Sequence, residues 1–424
     1  MSTHSKTASS GSSRVGVGFV EFVVTIALLT AITAISIDIM LPVLPKIAAD
    51  LNLASANDAQ LVIGVFFLGF GISQIVFGSL SDTFGRRTVL LGGLLFLILS
   101  TFASVWASNL TTLLILRFAA GVGAAAVRIT TIAMVRDCFG GREMARVMSY
   151  IMIIFMMIPL VAPFLGQLID RYFNWHSIFI FIGVAGTLLY VWTLVRVRES
   201  MAVEERRPLS FASVTQAFGA VLTNRITCGY MIALTLFTAV ICAYIVSVQQ
   251  VFGEVYGMGE QLPLAFAGTS AGMALANFAN GYFVRRFGMR RIAHSGILIF
   301  TVASLLIVVL GINTTPPFVV TYLAICVLLI VLGVVMTNFT AISLEPMGHL
   351  AGTATSVTGF VSTTFGAVLG SLVGQMFNGT IQPLFISFVL LGSFTILAVL
   401  WAERGKLFTH PGETTSINPA DMHF

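Results

Sequence analysis

Gly78-Ser79-Leu80-Ser81-Asp82-Thr83-Phe84-Gly85-Arg86-Arg87 is a polar turn of ten residues between two long apolar runs. Its glycines permit a tight reversal that a Cβ would obstruct. Arg86 and Arg87 hold the turn in water, on the side of a membrane where positive charge accumulates. An acid at the mouth of an apolar helix needs a partner, and Asp82 is expected to find one in the other half of the chain. Gly78, Asp82, Gly85, Arg86 and Arg87 are therefore read as gating residues.

Outward from this turn the chain is almost entirely apolar. Of 424 residues, 57% are hydrophobic and 9% charged, with a mean hydropathy of +0.98. Soluble domains carry about 25% charged residues, so the composition is that of an integral membrane protein. The net charge of +5 is read as basic loops at a membrane surface, with no nucleic acid as partner. Cys138, Cys228, Cys242 and Cys326 show no paired spacing and fall mostly inside apolar runs, as small hydrophobes would. The apolar stretch after the polar residues 1–18 is too long for a signal-peptide core, so no cleavage is expected.

A membrane-crossing helix needs about 20 apolar residues. Twelve such runs can be counted, at 19–44, 59–81, 88–107, 110–135, 147–169, 175–195, 226–252, 261–284, 292–312, 317–344, 351–377 and 381–402. They imply a tail 1–18, a six-helix bundle 19–196, a polar linker 197–225, a second six-helix bundle 226–402 and a tail 403–424. Placing the amino terminus inside puts 18 of the 22 Lys and Arg residues in inside segments. Lys46 and Arg171 fall outside, and Arg117 and Arg128 lie within a span. That asymmetry supports two cytoplasmic termini.

The halves echo each other. Gly281-Tyr282-Phe283-Val284-Arg285-Arg286-Phe287-Gly288-Met289-Arg290-Arg291 follows span 8 as Gly78–Arg87 follows span 2. Both end in Phe-Gly and basic residues, but Arg285 stands where the first loop has its acid. Six plus six spans with matching loops make a parallel repeat of the kind found in two-halved transporters.

With these residues in view, the chain resembles a transporter of the major facilitator superfamily over all twelve spans. The loop Gly78–Arg87 is similar to the superfamily's signature between helices 2 and 3. Asp38-Ile39-Met40-Leu41-Pro42-Val43-Leu44-Pro45 resembles the end of helix 1 in the Bcr/CflA branch of drug:proton antiporters. Arg117-Phe118-Ala119-Ala120-Gly121-Val122-Gly123 resembles the helix 4 motif built around an arginine, with Ala120 where the family has Gln. Pro159 to Gly166 resembles the antiporter motif of helix 5, with Ala162-Pro163 in place of Gly-Pro. Asn174-Trp175-His176-Ser177-Ile178-Phe179 and Glu345-Pro346-Met347-Gly348-His349 are also similar to this branch. The resemblance implies an all-α fold of two pseudo-symmetric six-helix bundles in a bacterial inner membrane. It also implies that Asp82 latches the halves by facing Gly352-Thr353-Ala354, the start of span 11, whose helix terminus carries partial positive charge. Arg142 and Arg146 are alternative partners for that acid.

Charged groups inside the spans carry the chemistry. Asp38 lies about 19 residues into span 1, roughly 28 Å from the inner edge, and Arg117 sits at similar depth in span 4. Intramembrane ionisable residues usually face a cavity or a partner. Asp38 and Arg117 are therefore read as a proton-coupling pair that protonation breaks; the alternative is a static pair. Arg128 follows Arg117 by eleven residues, about three turns, and shares its face within roughly 20°. Together they suggest a site for an acidic group, and the alternative for Arg128 is snorkelling to the inner interface near Arg136 and Asp137. Met152 and Met156, in a methionine-rich stretch of span 5, are candidate substrate contacts. Tyr244, Gln249 and Gln250 on span 7, Asn277 and Asn280 on span 8 and Asn338 on span 10 are candidate polar cavity residues. Pro159, Pro163 and Gly166 in span 5, with Gly366, Gly370 and Gly374 in span 11, are read as small, bendable surfaces of a rocking interface.

No cluster has metal-ligand spacing and no phosphate-binding Gly-x-x-x-x-Gly-Lys run occurs. No metal, cofactor or enzymatic activity is expected. The expectation is proton-coupled efflux of a small organic molecule or drug. Its alternative is a symporter or uniporter importing a small, possibly anionic, metabolite. The partners are that small molecule, protons and the lipid bilayer, and a monomer is expected.

Overall fold

The computed structural model describes residues 15–206, 211–311 and 315–408. Lys6 and Arg14 of the first tail, Arg207 and Pro208 of the linker and residues 409–424 lie outside the described residues. Among the described residues, regular structure is helical, and twelve helices are long and apolar enough to cross a membrane. They are α1 (Phe19–Asp38), α2 (Leu61–Phe84), α3 (Arg86–Ala103), α4 (Leu110–Cys138), α5 (Gly141–Tyr172), α6 (His176–Arg196), α7 (Arg225–Gln249), α8 (Leu262–Phe287), α9 (Met289–Leu310), α10 (Phe318–Leu344), α11 (Ala351–Gln375) and α12 (Gln382–Ala402). A further helix, Phe211–Thr223, lies between α6 and α7 and packs on α11.

Local chemistry sets several boundaries. Gly85 and Gly288 adopt φ of +92° and +79° between consecutive helices, a region that an L side chain enters at a cost. Ser55, Asn109 and Asn224 place side-chain oxygens on free N–H groups at helix starts. Many large apolar side chains, Leu188, Val195, Leu264 and Phe278 among them, point outward, as a lipid-facing surface requires.

The packing repeats between halves. In the first, α1 packs on α4, α5 and α6, α2 on α4, and α3 on α4 and α6. In the second, α7 packs on α10, α11 and α12, α8 on α10, and α9 on α10 and α12. The helices α1 and α7 are the most enclosed of their halves. The halves meet through two equivalent pairs, α2 with α11 and α5 with α8. This corrects one expectation, since the proline-bent α5 and the glycine row of α11 do not face each other. Gly366 and Gly370 lie against Thr238 and Cys242 of α7, inside their own half, and only Gly374 of that row meets the other half, at Gln60. The close approach between halves runs instead along α2, where Gly64 meets Ser371, Gly71 meets Thr364 and Gly78 lies near Ser356. A glycine periodicity marks a close helix contact but does not say which neighbour makes it.

The polar segments Gly78–Arg87 and Gly281–Arg291 lie at one end of the helix bundle, called here the basic end; the turn expected over ten residues is confined to Gly85, as it is to Gly288 in the second half, and the rest is helix. Lys46 and Asp170 pair at 2.5 Å at the opposite end.

Candidate functional site

The site is organised by the way α1 ends. Pro42 has no N–H to donate to the Asp38 carbonyl, and α1 stops at Asp38 before the 3-10 turn Leu41–Val43. The Met40 N–H turns to the Ile37 carbonyl at 3.3 Å. The Ser36 carbonyl is thereby left as one of the unpaired acceptors of a helix end. Arg117 takes it, with Nη2 donating at 2.6 Å, while Nε donates to the Val62 carbonyl of α2 at 3.4 Å. The guanidinium is fully buried, 4.6 Å above the Phe66 ring, and Nη1 has no partner. One side chain of α4 thus ties together α1 and α2.

Asp38 is 6% exposed and makes no ion pair among the described residues. The expected direct pair with Arg117 is not formed in this state, because the frayed helix end offers the guanidinium a carbonyl two residues earlier. α7 of the other half carries Tyr244. Tyr244 is buried, shares a hydrogen bond with Thr269 Oγ1 of α8 at 2.7 Å and stacks on Phe266 at 5.9 Å. The turn Leu41–Val43 also packs on α7. Gly166 of α5 lies so close to the Ile39 carbonyl that no Cβ fits. Pro159 and Pro163 are accommodated inside a continuous α5.

Arg128 is half-buried on α4, with Cζ 4.9 Å over the Phe155 ring of α5 and a buried, unbonded Nη1. Met152 and Met156 are half-buried on the same helix as Phe155. Gln249 is buried on α7. Asn277 and Asn338 use their amides to hold α8 to α10. Thr337 Oγ1 donates to Asn277 Oδ1 at 2.8 Å, and Asn338 Nδ2 donates to Asn280 Oδ1 at 2.9 Å.

At the end opposite the basic loops, a cluster of amides joins the halves. Asn57 Nδ2 donates to the Gln375 and Phe377 carbonyls at 3.1 and 3.0 Å. Gln375 Nε2 donates back to the Asn57 carbonyl at 2.7 Å. Gln250 Nε2 donates to Asn57 Oδ1 at 2.6 Å, and Gln60 Nε2 to Gln250 Oε1. Gln167 of α5 reaches the Glu260 carbonyl before α8 at 3.1 Å. Nearer the basic end, Gln74 Nε2 donates to Thr363 Oγ1 at 3.0 Å. Of this clasp the sequence marked only Gln250; Asn57, Gln60 and Gln375 sit in short polar segments whose pairing needs both halves folded.

At the basic end, the ion pairs seen among the described residues stay within each half. Asp82 meets Arg86 of its own loop at 2.5 Å, rather than the expected start of α11. Buried Arg86 also pairs with Asp137 at the end of α4 at 2.8 Å. Its N–H and that of Arg87 donate to the Glu199 carboxylate at 2.9 and 3.1 Å. Glu199 therefore caps α3, where a helix start favours negative charge. Arg87 donates to the Val197 and Leu194 carbonyls at 2.8 and 2.6 Å. Arg146, one suggested partner of Asp82, stands 3.9 Å from Glu143. The second half repeats the design, with Arg290 bonded to Glu403 at 2.8 Å and Glu345 at 3.0 Å. The signal for this set was present, since an acid ends span 4 and span 10 and another follows span 6 and span 12.

Residues 26–371 match the family model described as Major Facilitator Superfamily. The uncharacterized MFS-type transporter YdgK of Bacillus subtilis (strain 168) is 30% identical over 358 residues, covering 82% of this chain and 87% of its own. The bicyclomycin resistance protein homolog of Haemophilus influenzae is 29% identical over 385 residues, covering 89% and 94%. Among solved structures, the human organic anion transporter MFSD10 (TETRAN) superimposes with a TM-score of 0.66 at 16% identity, covering 90% of this chain and 99% of its own.

Proposed function

This chain belongs to the Major Facilitator Superfamily, and from that premise we propose that it exports a small organic molecule in exchange for protons by alternating access of its two halves. The positive-inside rule assigns the basic end and both termini to the cytoplasm, with the chain embedded in an inner membrane. The amide clasp then lies on the outer side.

Asp38 carries this reading. It is a buried carboxylate without an ion-pair partner among the described residues, at the break of α1, where the following turn packs on α7 of the other half. Such a group inside the membrane is costly and is the natural proton carrier. Arg117 Nη1, buried and unbonded among the described residues, is the donor we assign to an ionised Asp38 in another state of the cycle. The proton would exchange at Asp38 while Arg117 holds the Ser36 carbonyl and the end of α1 in place. The direction of transport takes support from the relative named for bicyclomycin resistance. One charge falling through 100 mV yields about 2.3 kcal/mol, enough for roughly a 50-fold gradient.

The test uses everted vesicles with an acidified lumen, and chloramphenicol as probe. Exchange alkalinises the lumen when the probe is added, and Asp38→Asn removes that signal while leaving probe binding intact. An undiminished signal in Asp38→Asn would overturn the coupling role. A second reading, uptake of an anionic metabolite with protons, is favoured by the unbonded guanidinium of Arg128; it predicts acidification with an anionic probe.

A further inference from the structure

The loop Gly281–Arg291 is the second half's counterpart of the signature turn, but its charges are balanced differently. In the first half, Arg86 and Arg87 both find acceptors within their own half. In the second, Arg290 takes both nearby carboxylates. Arg285, Arg286 and Arg291 are exposed and have no carboxylate partner among the described residues. Arg285 occupies the place of the first loop's acid, so the second loop holds no acid among its arginines.

Beside them runs a groove of about 690 Å³. Phe283 and Phe287 of α8, Ile292 and Ile299 of α9 and Ile330 and Val334 of α10 form its apolar walls. Its lining residues belong to the second half alone, so its occupant need not leave when the halves move. Arg291 stands in the lining, and Arg286 Cζ lies 5.4 Å over the Phe287 ring. One guanidinium thus stands in the apolar slot, and a second lies over the ring of one of its wall residues. Phe408 closes part of it, its N–H donating to His294 Nδ1 at 3.0 Å.

We propose that this groove binds an anionic phospholipid, with one acyl chain between α8, α9 and α10 and the phosphate between Arg286 and Arg291. Guanidinium and phosphate form paired, charge-assisted hydrogen bonds, and basic pockets between membrane helices are suited to anionic head groups. A free anion would leave the apolar walls uncovered, and an uncharged lipid would leave the arginines unpaired. The lipid phosphate supplies the counter-charge that Asp82 supplies in the first half.

The test is native mass spectrometry of the full chain after delipidation, titrated with phosphatidylglycerol or phosphatidylcholine of the same chain lengths. The wild type should retain one phosphatidylglycerol in preference to phosphatidylcholine. Arg286→Ala with Arg291→Ala should weaken that retention about 30-fold, at about fivefold per arginine, and Arg286→Lys with Arg291→Lys should restore most of it. Equal retention of the two lipids by the wild type overturns the proposal without reference to any variant. So does undiminished phosphatidylglycerol binding in the alanine variant. A cross-link from Ile299→Cys to a second copy would assign the groove to a protein contact and overturn it as well.

Discussion

Two arginines on one face of α4 show how much a single side chain's surroundings decide. Arg117 and Arg128 are eleven residues apart, yet one holds two backbone carbonyls and the other only an aromatic face. A buried polar group without a partner is expensive, so the free Nη1 of Arg128 is the donor best placed to meet an acidic group on a cargo. A hydrogen bond to a charged group is worth about 1.5–3 kcal/mol. Arg128→Ala should therefore weaken binding of a carboxylated probe such as fluorescein by about 10- to 150-fold and leave chloramphenicol nearly unchanged. Isothermal titration of both probes checks this, and equal loss on both would remove the charge-selection role. Spacing along the helix brought both arginines to notice. Spacing could not show that Ser36 would lose its helical donor and draw Arg117 away from Asp38.

At the scale of elements, the close contacts are short-range and unforgiving, within a half and between the halves alike. Gly166 admits α5 to the Ile39 carbonyl, next to Asp38. A methyl group there must displace backbone, and overpacking costs about 1–3 kcal/mol. Gly166→Ala should lower the thermal midpoint, measured by thiol-reactive dye fluorescence, and slow transport as well. The amide clasp is different in kind, because each of its bonds breaks when the outer side opens. Asn57→Ala removes three hydrogen bonds across the halves, two donated to the Gln375 and Phe377 carbonyls and one accepted from Gln250, at about 1 kcal/mol net each. The ratio of closed to open outer sides should fall about 150-fold, read from spin-label distances between α2 and α11 at that end. An unchanged distance distribution would mean that the clasp does not set the balance.

For the whole molecule, the repeat governs both packing and charge. The two halves meet through equivalent helix pairs, and both carry a buried arginine between two carboxylates at the basic end. The arrangement stiffens each half at that end, while the clasp ties the halves at the other. Sidedness can be measured directly. Lys46→Cys should label with a membrane-impermeant maleimide from outside intact cells, and Arg404→Cys only after the membrane is permeabilised. The reverse pattern would invert the proposed direction of transport.

The sequence by itself determined the twelve crossings, the two-fold repeat and the family, because hydropathy and loop motifs are written in contiguous residues. It also marked Asp38, Arg117 and Arg128, since a charge within an apolar run is visible without any coordinates. Tertiary structure alone decided which groups meet. The pairing of Arg86 with Asp137, the carbonyl that holds Arg117, the faces of the glycine rows and the clasp of Asn57, Gln60, Gln250 and Gln375 all depend on helices distant in the chain. Hydrogen bonds and close packing act over a few ångströms, and only the folded arrangement brings such residues within that range.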